Sequence, residues 1–450
     1  MIGMMQLSAV ADQIRGKLIG DDTSFNSVAI NTRSMDAGDL YVAIKGLNFD
    51  GNDFVEEAEK NGASGAIVER QVGAKLPQVL VENTKIALGK LAQLNRRRSK
   101  AVIIGITGSQ GKTTVKEMVG LILALAGDTL VTKGNLNNDI GVPLTLLELV
   151  NTHRYGVIEM GANHAGEIGY SVELVEPNIA IITNAAQVHI EGFESLKGVA
   201  EAKGEIIDGV QTDGTVILNA DDQFFESWKQ RAGRKRIVSF SLQNPDHEYF
   251  ATDITTHDMA GVKFELRAKG EIIAITLPLL GKHNVNNAVA AAAVAMEVGA
   301  GIDQVAKGLG SMRPVIGRLF PRKGLNQGGL IDDSYNASPS SFRAAIDVLA
   351  EFDGYRILVM GDMSELGDET RTAHEELGKY ANKAGIDQLW GVGEYTQYSA
   401  GSFGSGAVYF NSKSMLIEKC KKAMSPDTMV LIKGSRSARM NEVVDALTAS

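Results

Sequence analysis

Short apolar runs alternate with longer amphipathic segments along most of the chain. The apolar runs predict buried strands, and apolar residues at helical spacing predict the helices between them. The clearest succession lies in the middle, where strands are predicted at 101–107, 155–160 and 178–183 and a helix follows the first strand to about Leu125. Strands that alternate with helices form a mostly parallel sheet covered on both faces.

The same periodicity predicts strands and helices in the rest of the chain. Before the central succession, short strands are predicted at 28–30, 40–44 and 65–69 and helices at 54–61 and 86–98. After it come a helix at 195–208, a hairpin of strands 262–267 and 271–277, and a long helix at 284–298. Pro314 and Gly317 then interrupt the helical pattern. Beyond them the alternation restarts with strands at 329–332, 356–360, 389–392 and 429–433, which indicates a third domain with a doubly wound sheet.

Composition and charge exclude several classes of protein. A chain of 450 residues, 44% hydrophobic and 22% charged, is expected to form two to four globular domains. Its net charge of −9 gives a nucleic-acid partner no electrostatic support. The basic run at 96–100 is typical of a solvated helix end, and we assign it no function. Cys420 is the only cysteine, which excludes an internal disulfide. No leader pattern and no apolar stretch of membrane-spanning length is present, so we expect a cytoplasmic protein.

The segment 102–114 predicts a phosphate-binding loop. An apolar strand ends in Thr-Gly-Ser-Gln-Gly-Lys-Thr-Thr, which places a glycine-containing loop at a helix N-terminus. Lys112 would reach the β- and γ-phosphates, and the Thr113 hydroxyl would hold Mg²⁺. The full Walker pattern is not met, because Ile106 stands five positions before Gly111. An ordinary strand–turn–helix connection with an exposed lysine is the alternative, and the Gly-Lys-Thr-Thr at the strand end favours phosphate binding.

Two further strands end in side chains that suit a metal site. Glu159 lies at the carboxyl end of the strand 155–160, where its carboxylate would face the Mg²⁺ of a bound nucleotide. His189 follows the strand 178–183 and reaches the same edge; an ordinary hydrogen-bonded histidine is the alternative to a ligand. Lys203 lies on the predicted helix 195–208, and helix geometry alone makes it a solvated lysine.

Polar loops supply the remaining candidates. Residues 133–143 are either a simple Asn/Gly-rich turn or a set of amides that fix a phosphate or a metal-bound water. In residues 281–287, Asn284 either caps the following helix or reaches a nucleotide base. In the third domain, segments 331–339, 360–367 and 433–436 each follow a strand. Because the carboxyl ends of parallel strands meet at one edge, these three segments are expected to face whatever the nucleotide domain binds.

Taken together, these motifs resemble those of the Mur ligase family, in the family's order and across essentially the whole chain. The segments that carry the resemblance are 105–114, 134–143, 158–163, 189–193, 202–206, 283–287, 317–318, 333–336, 360–363 and 433–436. Two positions depart from the family's usual pattern: Asn52 stands where histidine is common, and Ser338 where asparagine is usual.

The resemblance implies an α/β protein of three domains. It implies an N-terminal UDP-sugar-peptide-binding domain at 1–83 and a central ATP-binding, P-loop-type domain with a mostly parallel sheet at 84–312. The C-terminal domain at 313–450 would be a Rossmann-like doubly wound domain.

The resemblance also implies an activity. The chain is expected to be an ATP-dependent ligase that joins D-alanyl-D-alanine to UDP-N-acetylmuramoyl-tripeptide through an acyl phosphate, releasing ADP and phosphate. That reaction is the last cytoplasmic step in making the peptidoglycan pentapeptide precursor of the cell wall. ATP and Mg²⁺ are the implied cofactors. The two small-molecule substrates are the implied partners, with no nucleic acid, no membrane span and a monomeric state.

Site residues follow from the same resemblance. Lys112 would stabilise the migrating phosphoryl group, Thr113 and Glu159 would hold a first Mg²⁺, and His189 a second. Lys203 occupies the position where relatives carry a carbamylated lysine, whose carboxylate binds metal. The implied ATP-binding residues are Gly108, Ser109, Gln110, Gly111, Lys112, Thr113, Thr114, Asn284, Arg318 and Asp333. The implied substrate residues are Thr32, Arg33, Ser34, Asp50, Gly51, Asn138, Asn336 and Lys433.

Two alternatives stay open at the level of sequence. One is a sister ligase that adds the third amino acid, or a folylpolyglutamate-type ligase. The patterns at 333–339 and 360–367 favour the dipeptide-adding branch, and the Asp-Asn-Pro-Arg pattern of diaminopimelate-adding relatives is not found. The other is a P-loop switch protein that hydrolyses ATP to drive association, which would respond to a macromolecule rather than to a small amine.

Overall fold

The computed structural model describes residues 1–186, 190–256 and 258–449. The first unit contains β1 (Met5–Gln6), α1 (Leu7–Ile14), β2 (Lys17–Ile19), β3 (Ser24–Phe25), β4 (Val28–Ala29), β5 (Leu40–Val42), α2 (Val55–Lys60), β6 (Gly65–Val68) and β7 (Gln78–Leu80). Five strands form a sheet in the order β2-β7-β6-β5-β4, in which β2 alone is antiparallel to its neighbour. Strands β1 and β3 form a separate antiparallel pair.

Helix α3 (Thr84–Arg98) links the first unit to the central one. Asn83 caps it by accepting a hydrogen bond from the backbone N–H of Ile86. Its buried face joins one apolar cluster that runs from the first unit into the central sheet. The domain bounds predicted from the sequence therefore remain predictions, because this helix packs against both units.

The basic run at the end of α3 has a structural role, which corrects the expectation of a solvated helix end. Arg96 is buried, and its guanidinium donates to the backbone carbonyls of Val175 (2.8 Å) and Glu176 (2.9 Å). Arg97 pairs with the Glu176 carboxylate at 2.6 Å. The sequence could not show this, because the acceptor carbonyls belong to the end of a distant helix.

The central unit holds the largest sheet. It contains β8 (Val102–Thr107), α4 (Lys112–Ala124), β9 (Thr129–Val131), α5 (Gly141–Leu147), β10 (Tyr155–Glu159), α6 (Glu167–Val175), β11 (Ile179–Ile182), α7 (Ile190–Phe193), α8 (Leu196–Asp208), β12 (Thr215–Asn219), α9 (Phe225–Ala232), β13 (Arg236–Ser241), β14 (Tyr249–Thr256), β15 (Val262–Ala268), β16 (Glu271–Leu277), α10 (Lys282–Glu297) and α11 (Ile302–Gly310). The nine strands lie in the order β16-β15-β14-β13-β12-β11-β8-β10-β9. The predicted hairpin is confirmed as β15 and β16.

Strand order places the central site. β8 lies between β10 and β11 and is parallel to both. The chain leaves β8 on one side to form β9 and β10 and returns on the other side to form β11, which creates a crevice at the carboxyl end of β8. The central strands are apolar on both faces because separate apolar clusters cover each side of the sheet.

The third unit repeats the alternation around a six-stranded sheet. It contains β17 (Phe320–Lys323), β18 (Gly329–Asp333), α12 (Pro339–Ala350), β19 (Tyr355–Gly361), α13 (Thr370–Lys383), β20 (Gln388–Val392), α14 (Thr396–Phe403), β21 (Ala407–Phe410), α15 (Lys413–Ala423), β22 (Thr428–Lys433) and α16 (Asn441–Leu447). The order is β17-β18-β22-β19-β20-β21, and only β17 is antiparallel to its neighbour. The α/β fold class with three mostly parallel sheets is confirmed.

Direct side-chain contacts join the third unit to the central one. The Thr256 hydroxyl donates to the Glu351 carboxylate (2.5 Å), which also lies 3.7 Å from the Lys282 amine. From the phosphate loop, the Gln110 amide donates to the Ser340 hydroxyl (2.5 Å).

Across the described ranges, no helix is both long and apolar enough to cross a membrane.

Candidate active site

The loop between β8 and α4 needs glycine at two positions. Gly108 has φ +148°, and an added Cβ there would lie 1.9 Å from the Thr183 hydroxyl oxygen. Gly111 has φ +79°, and its Cβ would lie 2.3 Å from Oδ1 of Asn287. Both the left-handed backbone and the close neighbours exclude larger residues. The loop is therefore shaped by β11 and α10 as well as by its own sequence.

Lys112 closes over this loop. Its amine donates to the backbone carbonyl of Gly108 (2.7 Å), with that of Ser109 at 3.4 Å. Burial lowers the pKa of the Lys112 amine, and the Glu159 carboxylate opposes that shift. The two carbonyls hold the amine at the N-terminus of α4, where backbone N–H groups favour an anion.

Glu159, at the end of β10, is almost fully buried, with 1% of its surface exposed. Its Oε1 accepts hydrogen bonds from the Asn137 amide (2.8 Å) and the Thr113 hydroxyl (3.3 Å). Its Oε2 has no hydrogen-bond partner among the described residues. A carboxylate oxygen left free beside a hydroxyl is the oxygen donor set that Mg²⁺ prefers. The residues present therefore fit the implied metal.

No cluster of three or more His, Cys, Asp or Glu side chains that could hold a metal was found among the described residues. His189 lies outside the described residues, so its proposed role as a metal ligand stays a prediction.

Lys203 is buried, with 2% of its surface exposed, which corrects the expectation of a solvated lysine. It shares a helical face of α8 with the buried Val199, Ala200, Ile206 and Ile207, and that spacing of three and four residues was the overlooked signal. Burial, and then the charge of Lys112, lower the pKa of the Lys203 amine to about 7. A substantial fraction of this amine is therefore neutral near physiological pH, as reaction with carbon dioxide requires.

In the third unit, polar side chains meet at the ends of β18 and β22. The Lys433 amine pairs with Asp333 at 2.6 Å and donates to the backbone carbonyl of Asn336 at 2.9 Å. The other oxygen of Asp333 accepts from the backbone N–H of Leu319 (3.1 Å). The Arg318 guanidinium lies 4.7 Å from the centre of the Tyr335 ring. Two strand ends and the segment before β17 thus form one polar wall.

Asn284 does not cap α10, so that alternative is wrong. Gly281 precedes the helix, and the Asn284 amide donates back to the carbonyl of Leu280 (2.8 Å). Its Oδ1 accepts from the amide of Asn287 (3.1 Å), the residue that crowds Gly111. The pair ties the start of α10 to the phosphate loop.

These parts line one cleft of about 550 Å³ between the central and third units. The predicted residues that line it are Gly108, Ser109, Gln110, Gly111, Lys112, Thr113, Thr114, Asn138, Glu159, Lys203, Asn284, Arg318, Asp333, Asn336 and Lys433. Thr32, Arg33, Ser34, Asp50 and Gly51 belong to the first unit and are not part of this lining.

The first-unit segment has its own organisation. Asn52, one of the two departures from the family pattern, is 3% exposed, and its amide donates to Asp50 (2.7 Å). This hydrogen bond lowers the pKa of the Asp50 carboxyl. The side-chain oxygen of Asn52 accepts from the backbone N–H of Glu69 (3.0 Å). Asn52 therefore fixes the orientation of the Asp50 carboxylate relative to the backbone at Glu69. The other departure, Ser338, caps α12.

Sequence reasoning missed several residues of the site. Asn137 and Asn287 lie in polar segments that were recognised, but composition could not say which amide faces Glu159 or Gly111. Lys116, fully buried in α4, was not singled out. Two signals could have indicated it: it follows Lys112 by four residues, and the buried face of α4 on which it lies also carries Val119 and Leu123.

Three family models match consecutive parts of the chain. They are the Mur ligase family catalytic domain at residues 24–96, the Mur ligase middle domain at 106–295 and the Mur ligase glutamate ligase domain at 317–436. Together they cover well over half of the sequence and follow the order of the three sheets.

Full-length relatives agree with the family models. The chain is 44% identical to the UDP-N-acetylmuramoyl-tripeptide–D-alanyl-D-alanine ligase of Escherichia coli, over 98% of both chains. A crystal structure of MurF from Acinetobacter baumannii superposes with a TM-score of 0.92 at 33% identity, covering 99% of this chain and 98% of that one. MurF from Thermotoga maritima, solved in complex with ADP, gives 0.84 at 26% identity, covering 94% and 96%.

Proposed function

The chain belongs to the Mur ligase family, and we propose that it joins D-alanyl-D-alanine to UDP-N-acetylmuramoyl-tripeptide with ATP. The product is the pentapeptide precursor of peptidoglycan. The observation that carries the proposal is the single cleft in which the phosphate loop, Glu159 and Lys203 face Arg318, Asp333 and Lys433. A P-loop switch protein has no need of such a second polar wall.

The first step activates the tripeptide. A carboxylate oxygen of its terminal residue attacks the γ-phosphorus of ATP, ADP leaves, and an acyl phosphate forms. Charge spreads over the phosphoryl oxygens during this transfer, so the site must supply fixed positive charge. Lys112 is placed to do so, because its amine already lies across the loop carbonyls. The N–H groups at the start of α4 add to it.

Thr113 and Glu159 are proposed to hold a magnesium ion. When bound, Mg²⁺ neutralises phosphate charge and orients the transferring group. Glu159 supplies a buried carboxylate, and a hydrogen bond from the Asn137 amide to Oε1 fixes its orientation. That arrangement leaves Oε2 as the free donor atom.

Lys203 is proposed to act as a carbamate. An unmodified ammonium repels a metal ion, whereas a neutral amine that has added carbon dioxide is a carboxylate. The lowered pKa of Lys203, about 7, supports the first requirement of that reaction. His189 is proposed as a second metal ligand on family resemblance.

The second step forms the amide. The neutral amine of the dipeptide attacks the acyl carbon, a tetrahedral intermediate forms, and the C–O bond to phosphate breaks as the nitrogen loses its proton. The third-unit wall supplies Arg318, Asp333, Asn336 and Lys433 around this point, and we assign the first two to ATP and the last two to substrate. The first-unit residues Thr32, Arg33, Ser34, Asp50 and Gly51 are proposed to bind the UDP portion.

The setting of the reaction is also a proposal. ATP and a nucleotide-linked donor are cytoplasmic metabolites, so we infer a cytoplasmic enzyme that works as a monomer on two small molecules. Neither a nucleic acid nor a membrane enters this reaction.

Acceptor choice tests the proposal. Purified protein with Mg-ATP and UDP-N-acetylmuramoyl-tripeptide is offered D-alanyl-D-alanine, and in parallel UDP-N-acetylmuramoyl-dipeptide is offered diaminopimelate. Mass spectrometry is expected to find a new amide only in the first reaction. A product only in the second would identify the sister ligase instead.

A further inference from the structure

Lys116 is a buried cation that the proposed chemistry does not use. It lies one helical turn after Lys112 in α4, has no exposed surface, and does not line the cleft. Its amine donates to the backbone carbonyls of Thr132 (2.8 Å) and Gly134 (3.2 Å) and pairs with Glu117 at 3.0 Å. The ammonium group therefore donates two hydrogen bonds and forms one close ion pair.

Packing alone gives no reason for a lysine at this position. The buried neighbours of Lys116 in α4 include Val115, Met118 and Val119, and a methionine would fill similar space without the desolvation of a charge. Buried ion pairs can often be replaced by apolar residues without loss of stability. The reason must therefore lie in what the charge and the hydrogen bonds do.

The charge lies beside the proposed metal ligand. The Lys116 amine is 3.7 Å from Oε2 of Glu159, and within the described ranges it is the cation at ion-pair distance from that carboxylate. This is too long for a hydrogen bond, so Oε2 remains free to bind another group. Lys116 thus offsets the negative charge of Glu159 without occupying the oxygen.

The hydrogen bonds fix the polar loop at 133–140. Thr132 and Gly134 flank the start of this loop, and Asn135, Asn137 and Asn138 within it line the cleft. Asn137 returns to Glu159 through its 2.8 Å hydrogen bond. Lys116 in α4 therefore contacts both the loop and Glu159 at the end of β10, and the loop contacts Glu159 through Asn137.

We propose that Lys116 is a positioning residue. It orients Glu159 for metal binding and fixes the position of the loop at 133–140 relative to the phosphate loop. It acts through Glu159 and the two carbonyls and does not touch a substrate. The proposal rests on the proposed function, because it assigns Glu159 to the metal.

The test compares two buried cations. Lys116→Met removes the amine, and Arg96→Met is the matched control, since Arg96 also donates to two backbone carbonyls but lies away from the cleft. Calorimetry measures ADP affinity with and without MgCl₂, and the ratio reports metal binding at the site. We expect Lys116→Met to lower the ratio about tenfold or more, as loss of a group behind a metal ligand does. Arg96→Met is expected to lower Tm and leave the ratio unchanged.

Steady-state kinetics give a second readout. Lys116→Met is expected to raise the KM for UDP-N-acetylmuramoyl-tripeptide, because the loop at 133–140 carries Asn138, a proposed substrate residue, and to leave the KM for D-alanyl-D-alanine unchanged. A variant that loses only Tm, with a wild-type ratio and wild-type KM values, would overturn the proposal.

Two milder variants cover the case in which Lys116→Met does not fold. Lys116→Arg keeps the charge and Lys116→Gln removes it, so Arg is expected to retain a higher metal-dependent ratio than Gln. Equal ratios overturn the proposal. Wild-type protein that shows the ratio but makes no amide would refute the proposed function while leaving this inference supported.

Discussion

At the scale of single residues, the account depends most on the Glu159 carboxylate. Glu159→Gln keeps the shape and removes the charge, so metal binding is lost, and the buried Lys116 ammonium loses the carboxylate 3.7 Å away. We predict a fall in kcat of about 100-fold or more, together with a lowered Tm. Steady-state kinetics and thermal unfolding measure both.

The control for this prediction is Glu297, a second buried carboxylate. It pairs with Arg236 and Lys269, each at 2.8 Å, and accepts a hydrogen bond from Tyr249, away from the cleft. Glu297→Gln is expected to lower Tm and spare kcat. Full activity in Glu159→Gln would remove Glu159 from the metal site.

Gly111 gives a second prediction at this scale. Gly111→Ala combines a left-handed backbone with a Cβ only 2.3 Å from Asn287, so the loop must shift. Gly385 has the same φ of +79° but nothing within 4 Å of its Cβ position. We predict that Gly111→Ala weakens ATP binding about 100-fold, whereas Gly385→Ala carries only the backbone strain and leaves binding intact. Calorimetry with an ATP analogue distinguishes them; equal effects would contradict the loop geometry.

Residues at strand ends could be predicted because strand direction fixes where they lie. Glu159, Asp333 and Lys433 were reached in this way, and all three line the cleft. Lys203 and Lys116 were not, because their burial depends on which face of a helix meets the sheet. A lysine on an apolar helix face is the pattern that would have indicated both.

At the scale of elements, helix α13 supports the segment 361–367 through His374. The imidazole is fully buried; its Nδ1 lies 2.7 Å from the carbonyl of Thr370, and its Nε2 accepts from the backbone N–H of Met363 (3.3 Å). Burial lowers the pKa of His374, against the opposing effects of Thr370 and Asp362. The helix therefore holds the segment only with a neutral ring.

This geometry predicts an acid-sensitive stability. Below about pH 6.5, His374 binds a proton in the unfolded chain but not in the native state. The free energy of unfolding therefore falls as the pH falls. Urea unfolding of wild type is expected to lose up to about 1.4 kcal/mol per pH unit more than His374→Gln in that range. His164→Gln, at an exposed ring, is the control. Parallel pH profiles for wild type and His374→Gln would contradict the prediction.

Inner elements could be predicted better than edges. The inner strands of the third sheet, at β18, β19, β20 and β22, are apolar runs and were all expected. Its two edge strands, β17 and β21, were missed. β17 is only Phe-Pro-Arg-Lys, and a proline is tolerated there because the edge leaves one side of the strand unpaired.

At the scale of the whole molecule, the proposed sites for UDP-N-acetylmuramoyl-tripeptide lie on the first unit and in the cleft, and the first-unit residues do not line the cleft. The proposed UDP-binding residues lie on the first unit, whereas the proposed catalytic residues line the cleft between the central and third units. We predict that the radius of gyration decreases when an ATP analogue and UDP-N-acetylmuramoyl-tripeptide are both present. Small-angle X-ray scattering with each ligand alone is the control. No compaction with the pair would refute domain closure.

The order of the three α/β units could be predicted from the sequence, but their mutual packing could not. The contacts of Gln110 with Ser340 and of Thr256 with Glu351 join residues far apart in the chain, and nothing local in either segment marks the pairing. Strand direction predicted which edge of the third sheet faces the phosphate loop, but not the contacts that hold the two units together.

The central claim is that ATP is consumed to join two specific small molecules. The most direct measurement is phosphate release from purified protein with Mg-ATP and UDP-N-acetylmuramoyl-tripeptide, with and without D-alanyl-D-alanine. The account predicts release that requires both substrates and one new amide per phosphate. Release that is indifferent to the dipeptide would contradict it.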